Sequence, residues 1–312
     1  MSNGISLFDL HCDTVTACFE LGAGLRENSA HISLDRGLRY DRWCQVFAVW
    51  IPDNVRGTAA QMYFKSRAEY LRKQAEINRG LINLCGSFEE LDEACAERRC
   101  GAILSIEGGA ALGGDMGKLR EYYDMGVRIV TLTWNGKNEI GCGSVEDDNS
   151  GLTAFGKKLV KNMNDMGMII DVSHLNEAGF FDVAELSERP FIASHSNFWD
   201  VCGHKRNLTA LQADTIKERG GIIGLNLYGA FLDGGAGGID SCYRHISYAA
   251  ERGLEYNLAL GCDFDGADIA GELAGIERLE SLHEYLLSRG VSQSFVDRIF
   301  FHNAYEFFRA NM

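Results

Sequence analysis

The sequence predicts an α/β fold, a (β/α)8 TIM-type barrel, with residues 1–312 forming one domain. Three observations carry this expectation. Eight short apolar runs rich in β-branched residues recur at 5–10, 45–51, 101–106, 128–133, 168–172, 191–193, 221–227 and 258–261. Helical patterns separate them along the whole chain. Only two prolines and no low-complexity stretch interrupt the 312 residues, so no linker is marked. Runs that are apolar almost throughout suit strands covered on both faces. Strands alternating with helices mean a parallel sheet, and the even count and the length favour a closed barrel over an open one.

The helical segments justify themselves in order. Residues 58–80 form a long amphipathic pattern that ends on Gly80, read as a C-cap. Residues 87–99 open on Ser87 with Glu90 three positions on, the pattern of a capping box. The segments 152–167, 176–189, 207–221 and 239–253 each lead from one apolar run towards the next. Two further helices, around 277–288 and 293–309, close the chain. The glycine-rich stretch "LDGGAGGID" (232–240) reads as a loop, weighed as a lid against a plain flexible connection.

Composition excludes several functions. The net charge of −14 argues against nucleic-acid and anionic-membrane surfaces, which require clustered Lys and Arg. No apolar run approaches the roughly 18 residues that span a bilayer. The opening "MSNGISLFDLHCD" lacks the basic segment and apolar stretch of a secretion signal, so a cytoplasmic location is expected. Ten cysteines without a C-x-x-C pair are expected to be buried, reduced thiols. "GGAALGGDMG" is glycine-rich but lacks the G-x-G-x-x-G pattern and a Walker lysine, so nucleotide binding is disfavoured.

The polar residues fall at the C-terminal ends of the apolar runs, the catalytic face of such a barrel. His11 and Asp13 end the first run, Glu107 the third, His174 the fifth and His195 the sixth; Asp263 and Asp265 end the eighth. In a strand, residues two apart face the same way. His11 and Asp13 therefore share a target while Cys12 faces away, and the same logic pairs Asp263 with Asp265 and turns Cys262 aside. Three histidines with two or three carboxylates suit zinc. Five ligands exceed one tetrahedral ion with an open position and suit two metals if one carboxylate bridges.

At this point the motifs "FDLHCDT", "SIEGG", "IIDVSHLNEAGFFDV", "PFIASHSN", "KRNLT" and "GCDFDG" can be read together. In this order they resemble the renal (membrane) dipeptidase family, zinc peptidases of the amidohydrolase superfamily. The resemblance implies two Zn²⁺ per chain, one on His11, Asp13 and Glu107, the other on Glu107, His174 and His195. It implies that Asp263 takes the proton of a water held between the metals and passes it to the leaving amine. It implies that Arg206 binds the terminal carboxylate of a small dipeptide, a C-terminal D-residue included, and that Tyr228 lines the pocket. Homodimers are common in the family.

The sequence departs from the family pattern at Trp134, where the resemblance leads one to expect a histidine that binds the scissile carbonyl. The indole N–H of Trp134 and the nearby amides of Asn135 and Asn138 are the replacements on offer, and Thr16 stands near a missing family tryptophan. The leading expectation is a dinuclear zinc dipeptidase. The alternatives are a related amidohydrolase acting on another carboxylated amide or ester, and a metal-retaining binding protein without catalysis.

Overall fold

The computed structural model describes residues 4–312. Its strands are β1 (Leu7–Cys12), β2 (Trp43–Trp50), β3 (Ile82–Leu84), β4 (Cys100–Glu107), β5 (Val127–Thr131), β6 (Ile169–Asp171), β7 (Ile223–Leu225) and β8 (Leu258–Leu260). The sheet runs β6-β5-β4-β2-β1-β8-β7, with β3 paired beside the first residues of β4. Every strand pair is parallel.

Seven of the eight expected runs are strands. The run 191–193 is not; it makes one bridge from Ile192 to Asp171 and one from Ala193 to Ile223, and these close the ring between β6 and β7. The close approach of Ser194 accounts for the irregularity. A Cβ at Gly224 or Gly261 would stand 1.9 Å or 1.8 Å from the Ser194 carbonyl oxygen. Only glycines admit that peptide. Conversely, β3 was not expected. Its three residues follow a long helix with a polar residue between two apolar ones, too short for a period to register.

Register shows which side chains enter the barrel. Cys44, Val46, Ala48 and Trp50 align with Gly101, Ile103, Ser105 and Glu107. Glu107 aligns with Thr131, and Thr131 with Asp171. This shared face is the lumen. Climbing it, the lining changes from Ile103, Ile129 and Ile169 to Glu107, Thr131 and Asp171. The lower lumen is closed by the last helical stretch, which packs Phe301, Phe307 and Phe308 against Phe8 and Leu10. The rings of Phe8 and Phe308 lie 4.9 Å apart. Each such buried side chain contributes about 1.5–3 kcal/mol. The outer face, with Leu7, Cys12, Phe47, Val49, Leu104 and Val130, packs on surrounding helices through Phe64, Leu71, Leu159 and Val160.

Several helix ends differ from expectation. The long helix spans Gly57–Ile77 and is capped at Asn78, short of Gly80. Ser87 caps Phe88–Ala96 by accepting the Glu90 N–H, but the Glu90 carboxylate accepts from Gly86 N, so the box does not close. A reciprocal box forms instead between Thr209 and Gln212. The 232–240 stretch turns on Asp233, whose Oδ1 accepts from the N–H groups of Gly235 and Gly237. All ten cysteines are free thiols. Among the described residues no helix is long and apolar enough to cross a membrane.

Candidate metal centre

Six polar side chains meet at the top of the lumen because their strands end there. His11 is on β1, with Asp13 immediately beyond it, and Glu107 is the last residue of β4. His174 follows β6, and His195 follows the bridging segment at 192–193. Asp263 comes three residues after β8. His174, Asp263 and Asp265 are three of the four described non-glycine residues with left-handed backbone, at φ 68°, 61° and 67°. Such φ values are uncommon outside glycine and gather where a side chain must leave its strand's alternation. They also correct the expectation that Asp263 and Asp265 share a face. Asp263 turns towards His11, whereas Asp265 accepts from the Thr14 hydroxyl (2.5 Å) and the His31 N–H (2.7 Å).

Glu107 sits in the middle. Its Oε2 lies 3.4 Å from His11 Nε2, which is also 3.4 Å from Asp13 Oδ2. Its Oε1 lies 2.8 Å from His174 Nε2 and 3.4 Å from His195 Nε2. Three triads have ligand atoms close enough to share one ion: His11, Asp13 and Glu107; Glu107, His174 and His195; and His11, His195 and Asp263. His11 Nε2 and Asp13 Oδ1 are buried without a hydrogen-bond partner. Buried polar atoms are rarely left so, and here both are metal-ligating types.

The electrostatics favour cations. Burial and the neighbouring Glu107 charge push the Asp13 carboxyl up to about 7. Burial also raises Asp263. Burial opposes charge on His11, but the Glu107 and Asp13 carboxylates outweigh it and raise His11 well above the usual range. Glu107, buried too, is held well below its ordinary value by His11. Burial lowers His174 to about 4, helped by Arg206, and lowers His195 well below its usual value, helped by His11. Those two imidazoles are therefore neutral at neutral pH, the form that offers a lone pair to a metal.

A cavity of about 540 Å³ opens over the centre, lined by Asp13, Glu107, His174 and Asp263 below and by Trp50, Trp134 and Tyr228 on its walls. Arg206 stands beside this cavity rather than in its lining. It lines an adjoining cavity of about 520 Å³ that shares His174 with the first. Its Nη2 donates to the His195 carbonyl at 3.3 Å, and its Nε is buried without a partner. Burial lowers its guanidinium to about 10.

The whole chain, residues 1–311, matches the family model of membrane dipeptidases, peptidase family M19. The chain belongs to the membrane dipeptidase family. A protein of the pqqA 5′ region of Klebsiella pneumoniae is 34% identical over 235 residues, covering 72% of this chain and 87% of that one. Two solved metallopeptidases superpose with TM-scores of 0.93. One, from Rhodobacter sphaeroides, holds a phosphinate mimic of the dipeptide L-Ala-D-Ala; it is 26% identical, with 99% of this chain and 100% of that one aligned. The other, dipeptidase AC, is 27% identical, with 99% of each chain aligned. Likeness at these levels makes this member of the family a metallo-dipeptidase by kinship and a TIM-type barrel by fold.

Against that family background, two features of the cavity stand out. Trp134 packs edge-on against Trp50, with ring centroids 4.8 Å apart. Asn138 is engaged at both ends of its amide, with the backbone of Leu132 and Ile140, whereas Asn135 lines the cavity and commits its Oδ1, facing His174 Nδ1 at 3.0 Å. Sequence reasoning passed over Trp50 and Asn226. Trp50 shares the lumen face with Glu107 by register. Asn226 follows the apolar β7 at once, and that polar residue at a strand end was the available signal. Its amide donates to Asp263 Oδ2 at 2.9 Å.

Proposed function

We propose that this chain is a dinuclear zinc dipeptidase that cuts dipeptides bearing a free C-terminal carboxylate. The observation that carries the reading is the division of Glu107, one oxygen facing His11 and the other facing His174 and His195. A carboxylate placed so between two donor sets is suited to bridging. His11, Asp13 and Glu107 would hold one ion, and Glu107, His174 and His195 the other. The donors are nitrogen and oxygen only, with two neutral imidazoles, a set that zinc accepts well. When bound, two such ions supply Lewis acidity for the scissile carbonyl and lower the pKa of water.

The remaining work belongs to the chain's own side chains. Asp263 takes up a proton and returns it to the leaving amine. Its Oδ2 is engaged by Asn226, so Oδ1, 3.9 Å from His11 Nε2, faces the centre. Burial raises its pKa, which favours carrying the proton between the two steps. Arg206 offers a forked donor whose Nε–H has no protein partner, a group suited to the substrate carboxylate. Tyr228 and the Trp50–Trp134 pair form the walls of the substrate cavity. The dipeptide mimic held by the Rhodobacter sphaeroides neighbour supports extending the range to a C-terminal D-residue.

The test is metal analysis of the purified protein, with a panel of L-Xaa–L-Xaa and L-Xaa–D-Xaa dipeptides on the same sample. Two zinc ions per chain and turnover that vanishes in Asp263→Asn support the reading. No dipeptide turned over faster than by that variant rejects it. Trp134 favours one second reading, an amidohydrolase of another carboxylated amide or ester, because an indole replaces the expected imidazole in the cavity wall. A screen of N-acyl amino acids and lactones separates the two.

A further inference from the structure

Ser194 stands between Asp171 and His195. Its Oγ lies 2.6 Å from Asp171 Oδ2 and 2.7 Å from His195 Nδ1. Asp171 is fully buried on the lumen face. Its Oδ1 accepts from the N–H groups of Ser173 (3.0 Å) and Ser194 (2.9 Å), and its Oδ2 accepts from the hydroxyls of Thr131 (2.6 Å) and Ser194.

Proton counting then fixes the rest. The Ser194 hydroxyl has one hydrogen, and Asp171 receives it. Towards His195 the oxygen can present only a lone pair, so His195 Nδ1 must carry a hydrogen. In a neutral imidazole this leaves the lone pair on Nε2. Nε2 is the atom that faces Glu107 Oε1 at 3.4 Å and His174 Nε2 at 2.9 Å.

We propose that Asp171 and Ser194 are positioning residues that fix the tautomer and the ring orientation of His195 and so prepare Nε2 to bind metal. The inference rests on the reading of His195 as a ligand. His174 is supported differently, by the single amide oxygen of Asn135 at the cavity wall. The two histidines of one metal site are thus held by unequal means, and His195 depends on a chain anchored inside the barrel. The backbone reinforces it: the Ser194 carbonyl is wedged against Gly224 and Gly261.

The test titrates zinc into unmodified protein, Ser194→Ala and Ser194→Thr against a chromophoric chelator, with no substrate present. Ser194→Ala is expected to weaken one of two ions by about 10- to 100-fold and leave the other within about twofold. Ser194→Thr keeps the hydroxyl and is expected to restore most of that loss. If the unmodified protein binds no ion, the reading of the centre fails. If it binds two and Ser194→Ala binds both as tightly, this inference alone is overturned. Should Ser194→Ala not fold, nitrogen-15 spectra of the histidine-labelled, zinc-free unmodified protein decide. A hydrogen on His195 Nδ1 supports the inference, and one on Nε2 overturns it.

Discussion

Asn226 Nδ2 donates to Asp263 Oδ2 at 2.9 Å, and this bond determines which oxygen of Asp263 faces His11. Asn226 is itself fixed, its N–H donating to Asn197 Oδ1 and its Oδ1 accepting from Tyr228 N. Removing a positioned proton carrier costs about 10²–10⁴ in rate. Asp263→Asn is expected to lose kcat over that range. Asn226→Ala, which frees the carboxylate to rotate, is expected to lose about tenfold to a hundredfold in kcat with little change in KM. Steady-state kinetics on one good dipeptide checks both.

Gly266 is a steric sensor of the centre. A Cβ there would stand 2.3 Å from Asp13 Oδ2 and 2.6 Å from Asp263 Oδ1. Gly266→Ala is expected to cut activity by more than about tenfold and to weaken zinc retention, because both carboxylates must move. Equilibrium dialysis with zinc, beside a thermal melt, separates this outcome from general unfolding.

Arg206 provides a prediction about binding. Replacing its planar fork by the single ammonium of lysine keeps the charge and loses bidentate geometry. Arg206→Lys is expected to raise KM by about tenfold or more, at a cost of roughly 1.5–3 kcal/mol for a charged hydrogen bond. An unchanged KM would assign the carboxylate contact elsewhere.

His245 gives a pH dependence away from the metal residues. It is fully buried, accepts from Phe198 N at Nδ1 and places Nε2 2.9 Å from the Leu232 carbonyl. Burial lowers its pKa from 6.5 to about 4. The unfolded chain therefore binds this proton more readily than the folded one. The contribution to stability is present in full above about pH 6.5 and is lost as pH falls towards 4, on the order of 3 kcal/mol in all. His245→Gln has no such proton. Urea melts across that window are expected to show a shallower acid loss for the variant than for the unmodified protein.

Much of this centre was legible because each ligand type stands at the end of an apolar run. The runs located the strand ends, and the rim followed. What the sequence concealed lies where strand periodicity stops. Asp263 and Asp265 both adopt left-handed backbone, so two-residue alternation could not say that one turns to His11 and the other to Thr14 and His31. The segment around Ile192 is apolar like a strand, yet closes the ring with single bridges, because its geometry is set by glycines 30 and more residues later. The partners of Asn226 and Ser194 are equally remote, since a hydrogen bond between strand ends leaves no mark in either local sequence.

The seam between β1 and β8 has a consequence for how the chain comes into being. β1 pairs on one side with β2, but its other edge is met by residues 260–264, with Leu260 beside Asp9 and Phe264 beside Cys12, and the Asp9 carboxylate accepts from the N–H of Cys262, 253 residues on. During synthesis at the ribosome that outer edge emerges early and stays without its neighbour until nearly the whole barrel has been made. Joining so distant a pair carries a large loop-closure cost and slows folding. Until then the exposed edge can pair with a second nascent chain, making the seam the point where folding competes with aggregation.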